Sequence, residues 1–260
     1  HKTVDNYMNA KMKIIKNQDE NDYIVLNWDD AHLREVDTSN VNTIKCSILD
    51  ELEEGIFLKN DKIVYKNGSL EIEVIDTTKV KLLGKHNIYN IMFVVAVSVI
   101  MKIDLNKMAE TIYNFQGLEH RLEFVKNISG VNYYNDSKGT NPDSTIKAID
   151  AVEENIVIIL GGYDKKIDFT ELLEYSKDKV KAIVTVGETK YKIYNKALEL
   201  GYEEVYVAEE FKEAVLKCKE IAQSGDTVLL SPASASWGMF KSYEERGNEF
   251  KSIVNSLEGN

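Results

Sequence analysis

Val131-Asn-Tyr-Tyr-Asn135-Asp-Ser-Lys-Gly-Thr-Asn141-Pro142 is the stretch on which the fold turns. It reads as a strand over 131–135, then a polar turn, then Pro142 at the first position of a helix that runs on from about Asp143. Proline suits that position because its missing N–H would have no partner there anyway. Downstream the same alternation repeats. Strands are expected at 155–160, 182–186, 204–207 and 227–230, with helices at 169–177, 189–200, 210–223 and 244–257. Repeated β-α units imply a parallel sheet covered by helices on both faces.

Upstream of Gly117 the character differs. Residues 7–15 read as the tail of a helix, and 23–27 as a short buried strand. Residues 55–75 read as a β-meander in which Leu70, Ile72 and Val74 alternate with Glu71 and Glu73. Asn67-Gly68 is the expected type I′ turn of its hairpin. Residues 87–101 are apolar nearly all round, which predicts a buried helix. Residues 104–115 form an amphipathic one, with Asp104 or Asn106 near its cap. The boundary between two domains is therefore placed at Gly117, giving 1–117 and 118–260.

Net charge is −11 with the acidic residues scattered, which argues against a nucleic-acid or anionic-membrane surface. Cys46 and Cys218 are far apart, as expected of reduced, buried thiols rather than a disulfide or a metal knuckle. No apolar run reaches the ~18 residues of a membrane span.

In an open α/β sheet, ligands bind beyond the carboxyl ends of the strands. Three such ends carry acid, lysine and hydroxyl groups: 135–141, Gly161-Gly-Tyr-Asp-Lys165 and Ser231-Pro-Ala-Ser-Ala-Ser236. That chemistry suits anions. Ser, Asp and Gly also end most strands, so position alone leaves both readings open. Leu83-Gly-Lys-His86 is not a phosphate loop, because the first glycine and the Ser/Thr after the lysine are absent. Gly161-Gly162 lacks the G-x-G-x-x-G of a dinucleotide binder.

Asn135-Asp-Ser-Lys-Gly-Thr-Asn141 resembles a loop of the Mur ligases, and specifically of their D-glutamate-adding branch. Ser231–Ser236 with Phe240 and Arg246-Gly-Asn-Glu-Phe250 resembles the family's C-terminal signature, and Gly117-Leu-Glu-His-Arg121 its interdomain segment. His86-Asn87-x-x-Asn90, Tyr7-Met-Asn-Ala-Lys11 and Asn27-Trp-Asp-Asp30 resemble pieces of its central domain. The match runs in order along nearly the whole chain. Other Mur ligases and folylpolyglutamate synthetase usually carry different strings after the first strand; such a ligase, or a non-catalytic substrate-binding fragment, is the alternative.

The resemblance implies an α/β chain made of the remainder of a central P-loop-type ATPase domain followed by a Rossmann-like parallel-sheet domain that binds the amino acid. It implies a cytoplasmic, monomeric, ATP-dependent ligase of peptidoglycan precursor synthesis that joins D-glutamate to UDP-N-acetylmuramoyl-L-alanine, using Mg2+. The family's phosphate loop and its magnesium-binding glutamate and histidine would lie upstream. His1 is not that histidine, and the chain by itself is expected to be inactive. Lys11 matches the carbamylated lysine, whose carbamate would bind magnesium; without the resemblance it is a solvated helix lysine like Lys13 and Lys16. Asn87 and Asn90 would contact adenine and its surroundings, although Asn87 could equally cap its helix. Arg121 would reach the γ-phosphate and Asp136 the ATP ribose. Lys138 and Thr140 would approach substrate or phosphate. Lys165, Ser236 and the backbone at Trp237 would hold D-glutamate, with Tyr243 packed beside it. Trp237 stands where the family more usually has leucine. His120 is read as structural.

Overall fold

The computed structural model describes residues 3–152 and 155–257, so His1 lies outside the described residues. Contacts divide the chain into two compact units, 1–116 and 117–260.

The first unit opens with α1 (Val4–Lys11), capped by Thr3 Oγ1, which accepts from Asn6 N, and continues through a 3-10 turn (Met12–Ile15). Five strands follow: β1 (Tyr23–Asn27), β2 (Asn42–Ser47), β3 (Gly55–Lys59), β4 (Lys62–Asn67) and β5 (Leu70–Asp76), with the short α2 (Ala31–Arg34) between the first two. They form one sheet in sequence order, parallel from β1 to β3 and antiparallel from β3 to β5. α3 (Lys85–Ile100) and α4 (Leu105–Asn114) complete the unit. Cys46, Ile56, Ile63 and Ile75 of the sheet pack against Ile91, Met92 and Val95 of α3 and Met108 and Ile112 of α4.

Several local expectations are corrected here. Only Leu26 of β1 is buried, so the expected buried strand is corrected to a largely half-exposed one. β2 was not foreseen; its sequence, Asn-Thr-Ile-Lys-Cys-Ser, lacks a clean alternation. Asn67 pairs with Leu70, so the two loop residues of the hairpin are Gly68 and Ser69. Only Gly68 has positive φ (58°), the requirement of a II′ turn rather than I′. α3 is not buried all round: Val94 and Val97 are 45% and 50% exposed. Of the two residues expected near the cap of α4, Asp104 fills it, its carboxylate accepting from Asn106 N and Lys107 N, as expected.

The second unit is a six-stranded α/β layer structure. Its strands are β6 (Glu123–Ile128), β7 (Val131–Asn135), β8 (Ile156–Leu160), β9 (Val180–Thr185), β10 (Val205–Val207) and β11 (Thr227–Leu230), in spatial order β10-β9-β8-β11-β7-β6. All pairs are parallel except β6 with β7. The antiparallel β6 was not foreseen, so the expectation of a purely parallel sheet is corrected to a mixed one. β8 is buried at every residue, as its unbroken Ile-Val-Ile-Ile-Leu requires of a strand covered on both faces. One face packs against α8 (Phe211–Ile221) and α9 (Tyr243–Ser256), through Phe211, Val215, Phe250 and Val254. The other packs against α5 (Pro142–Ala151), α6 (Thr170–Ser176) and α7 (Lys190–Glu199), through Ile149, Leu172 and Ile193. Cys46 and Cys218 are free and buried, and burial pushes the Cys46 thiol up to about 12.

Candidate active site

Register brings three strand ends together. Leu230 at the end of β11 pairs with Asn135 at the end of β7 on one side and with Ile159 of β8 on the other. The polar turns 135–141, 161–165 and 231–236, separated in sequence, therefore leave the same edge of the sheet side by side. Pro142 is the first residue of α5, and Asn141 Oδ1 caps that helix by accepting from Ser144 N at 2.9 Å.

The base of this edge is a buried polar network. Asn135 Nδ2 lies 3.0 Å from His120 Nδ1 and donates to Glu123 Oε2 at 3.0 Å, while its Oδ1 accepts from Ser137 N at 3.1 Å. Asp136 Oδ2 accepts from Ser231 Oγ at 2.7 Å and Oδ1 from Leu122 N at 3.2 Å. Asp136 is 6% exposed. Burial raises its pKa to about 6, against the pull of those hydrogen bonds and of Arg121 and Arg246. Gly139 lies so close that a Cβ there would come within 2.4 Å of Asp136 Oδ2 and 2.6 Å of Ser231 Oγ.

Above this base stand cations. Lys138 Nζ sits 5.2 Å from the centroid of the Tyr243 ring, and Lys165 Nζ 4.8 Å from that of Trp237. Trp237 in turn meets Tyr163 edge-on at 5.5 Å. Tyr163 N donates to Ala235 O at 2.9 Å, which ties the second turn to the third. Lys138, Lys165 and Arg121 are all exposed, and among the described residues none of the three forms an ion pair. Arg121 is flanked by two residues with positive φ, His120 (63°) and Leu122 (47°), conformations that non-glycine residues hold only where the surroundings impose them. Thr140 is half-buried, its N–H donating to Lys138 O at 2.8 Å. Ser236 is 3% exposed, and its carbonyl accepts from Phe240 N at 2.9 Å.

In the first unit the candidates are sparser. Asn87 Nδ2 donates to Leu83 O at 2.7 Å, and its Oδ1 accepts from Asn90 Nδ2 at 3.1 Å. Gly84, not Asn87, is the N-cap of α3, and it offers no side chain to the free N–H groups there. Asp29, within the 27–30 string, is committed to the fold: it accepts from Ser47 Oγ at 2.5 Å, from Ile48 N at 2.8 Å and from Tyr89 Oη. Lys11 is exposed at the end of α1, its Nζ 5.4 Å from the Tyr7 ring centroid. Among the described residues no group of three or more His, Cys, Asp or Glu side chains could hold a metal ion. The described residues therefore supply no such cluster for magnesium, and Lys11 stands apart from any.

The Mur ligase middle domain model matches residues 1–98, and the model of the Mur ligase glutamate ligase domain matches 120–234. The chain belongs to the Mur ligase family. Curated Mur ligase relatives include the UDP-N-acetylmuramoylalanine--D-glutamate ligases of Lachnoclostridium phytofermentans and Clostridioides difficile, each 43% identical over 258 residues. The match covers 99% of this chain and 57% of each relative, so the chain spans little more than half their length. Among solved Mur ligase structures, UDP-N-acetylmuramate-alanine ligase from Thermotoga maritima superposes with a TM-score of 0.65 at 18% identity, over 98% of this chain and 56% of that one. A pseudomurein peptide ligase type C from Methanothermus fervidus gives 0.69 at 16%, over 98% and 60%. At such identities these two likenesses speak for the fold alone.

Sequence reasoning assigned no role to Ser137, Tyr163 or Arg246, although each touches the site. Nothing in their spacing signals it: Arg246 meets Ser137 across 109 positions of chain.

Proposed function

We propose that the protein carrying this chain is an ATP-dependent ligase that forms an amide between D-glutamate and UDP-N-acetylmuramoyl-L-alanine. The first unit is read as part of the ATP-binding central domain and the second as the Rossmann-like amino-acid domain. The observation that carries the reading is the set of cations, Arg121, Lys138 and Lys165, which among the described residues form no ion pair and stand at the ligand edge of the sheet. An amino acid with two carboxylates and a phosphate needs such partners. The 43% identity to D-glutamate ligases favours that substrate among amino acids.

The reaction has two steps. A carboxylate oxygen of the acceptor takes the γ-phosphoryl group, the bond to the β-phosphate oxygen breaks, and ADP leaves. The D-glutamate amine then attacks the acyl carbon, the tetrahedral adduct expels phosphate, and the amine proton passes to a base. Arg121 and Lys138 stabilise charge on the transferring and departing phosphate. Lys165 pairs with a D-glutamate carboxylate, while Ser236 and the Trp237 N–H orient it and Tyr243 lines the pocket. Thr140 supports the phosphate side. Asn87 and Asn90 offer amide groups to adenine. Asp136, with one protein partner on each oxygen, keeps lone pairs for a ribose hydroxyl.

The test is ADP and phosphate release by the full-length protein with UDP-N-acetylmuramoyl-L-alanine and, in turn, D-glutamate, L-glutamate, L-alanine and a diamino acid. Release is expected with D-glutamate alone; turnover with another amino acid instead would sink the substrate assignment.

A further inference from the structure

Arg246, one turn into α9, is the largest fully buried side chain among the described residues, yet it forms no ion pair there; Asp136 acts on it only through space. Its Nε donates to Ser137 Oγ at 2.9 Å, its Nη2 to Ser137 O at 2.7 Å and its Nη1 to Ser234 O at 3.1 Å. Ser137 Oγ passes the chain on, donating to Tyr243 O at 2.8 Å. Burial lowers the guanidinium pKa to about 10, so the charge persists at neutral pH.

A charge held this way is costly, and an apolar side chain of similar volume would often serve stability as well. What only a planar fork of donors can do is fix two backbones in one plane. The two backbones joined here are those of the site. Ser137 immediately precedes Lys138. Ser234 lies two residues before Ser236 and three before Trp237, on whose ring Lys165 rests. Tyr243, the ring beneath Lys138, is the third point of the same clamp.

We propose that Arg246 is a positioning residue that clamps the turns after β7 and β11, so that the Ser236–Trp237 backbone holds the amino-acid substrate in register with Lys138 on the phosphate side. The proposal rests on the reading of this edge as the amino-acid pocket. The clamp itself can be tested without substrate, by amide hydrogen exchange on this chain. Arg246→Ala should speed exchange in 135–140 and 231–236 while leaving the strands of the unit protected, and free guanidinium ion, entering the space left, should slow it again. Should Arg246→Ala fail to fold, Arg246→Lys keeps the charge but not the fork, and should loosen the same two turns. Uniform loosening of the whole unit, or none at either turn, overturns the clamp.

In the full-length protein, Arg246→Ala should raise KM for D-glutamate by about tenfold or more, as misplacement of binding groups does. KM for ATP should hardly change, and guanidinium ion should restore much of the loss. Equal loss on both substrates would mark a merely structural arginine and overturn the proposal. If the wild-type protein does not use D-glutamate at all, the functional reading fails, while the exchange result still decides whether the two turns are clamped.

Discussion

In the first unit the candidate ligand residues Lys11 and Asn90 are exposed and Asn87 half-buried, and the buried polar groups Ser47 and the carboxylate of Asp29 tie β2 and, through Tyr89, α3 to the turn after β1. In the second, the candidates rise from a buried floor of His120, Asn135, Asp136, Ser137, Ser231 and Arg246, all bonded to one another or to nearby backbone. The difference is one of coupling. A side chain on a satisfied polar network cannot move without unmaking other hydrogen bonds, so its geometry is set in advance. One at a surface is set mainly by its own rotamer, and replacing it should be felt locally.

The comparison is broken most directly at Lys165. In the full-length protein, Lys165→Ala should lower kcat/KM for D-glutamate by about tenfold or more, the low end for a charge pair partly open to water. Kinetics with each substrate varied in turn would show it, with ATP parameters nearly unchanged. An unaltered D-glutamate dependence would transfer the carboxylate to Lys138.

Asp136 sharpens the comparison through pH. Its folded pKa is raised from 3.8 to about 6, so the folded state holds the proton more tightly than the unfolded chain. Its contribution is therefore fully present below pH 3.8 and lost as pH rises through 6. Asp136→Asn removes that loss, and should gain on the wild type by about 3 kcal/mol between acid and neutral pH. Denaturant unfolding across the range measures the difference; parallel curves for the two proteins would refute a buried, proton-retaining carboxyl.

Two glycines contrast the regions in one chemistry. At Gly139 an added methyl would meet Asp136 and Ser231, and at Gly68 it would meet nothing within 4 Å but must hold φ at 58°. Gly139→Ala should cost about 2 kcal/mol or more by overpacking a fixed network, and Gly68→Ala about 1 kcal/mol from the left-handed backbone alone. Segment-resolved hydrogen exchange would place each loss in its own unit.

The smallest effect is expected at Asn90. Removing its amide deletes a surface hydrogen bond to Asn87, so Asn90→Ala should raise KM for ATP about threefold to tenfold, the worth of one ordinary hydrogen bond. D-glutamate parameters should stay put.

Much of the second unit was legible because its signals are local. The unbroken apolar run of β8, Pro142 after Asn141, and the alternation of strand and helix lengths each follow from backbone sterics and burial within a few residues. Asp104 as a cap and the meander expected over 55–75 were readable for the same reason. Local signals failed where a neighbour decides. β1 and β2 are half-exposed over most of their length, so burial marks neither clearly; β6 is held by its antiparallel pairing with β7, and the turn at Gly68 shifts by one residue because the strand register does.

The sequence by itself determined which polar residues follow which strands, and hence that Lys138, Lys165 and Ser236 leave strand ends. Only the tertiary structure decided that β7, β8 and β11 are adjacent, because strand order depends on how helices cover a sheet and not on the order in which the chain makes the strands. For the same reason no local pattern could reveal Arg246: its partners become neighbours only after the sheet has brought residues 137 and 234 to the same edge.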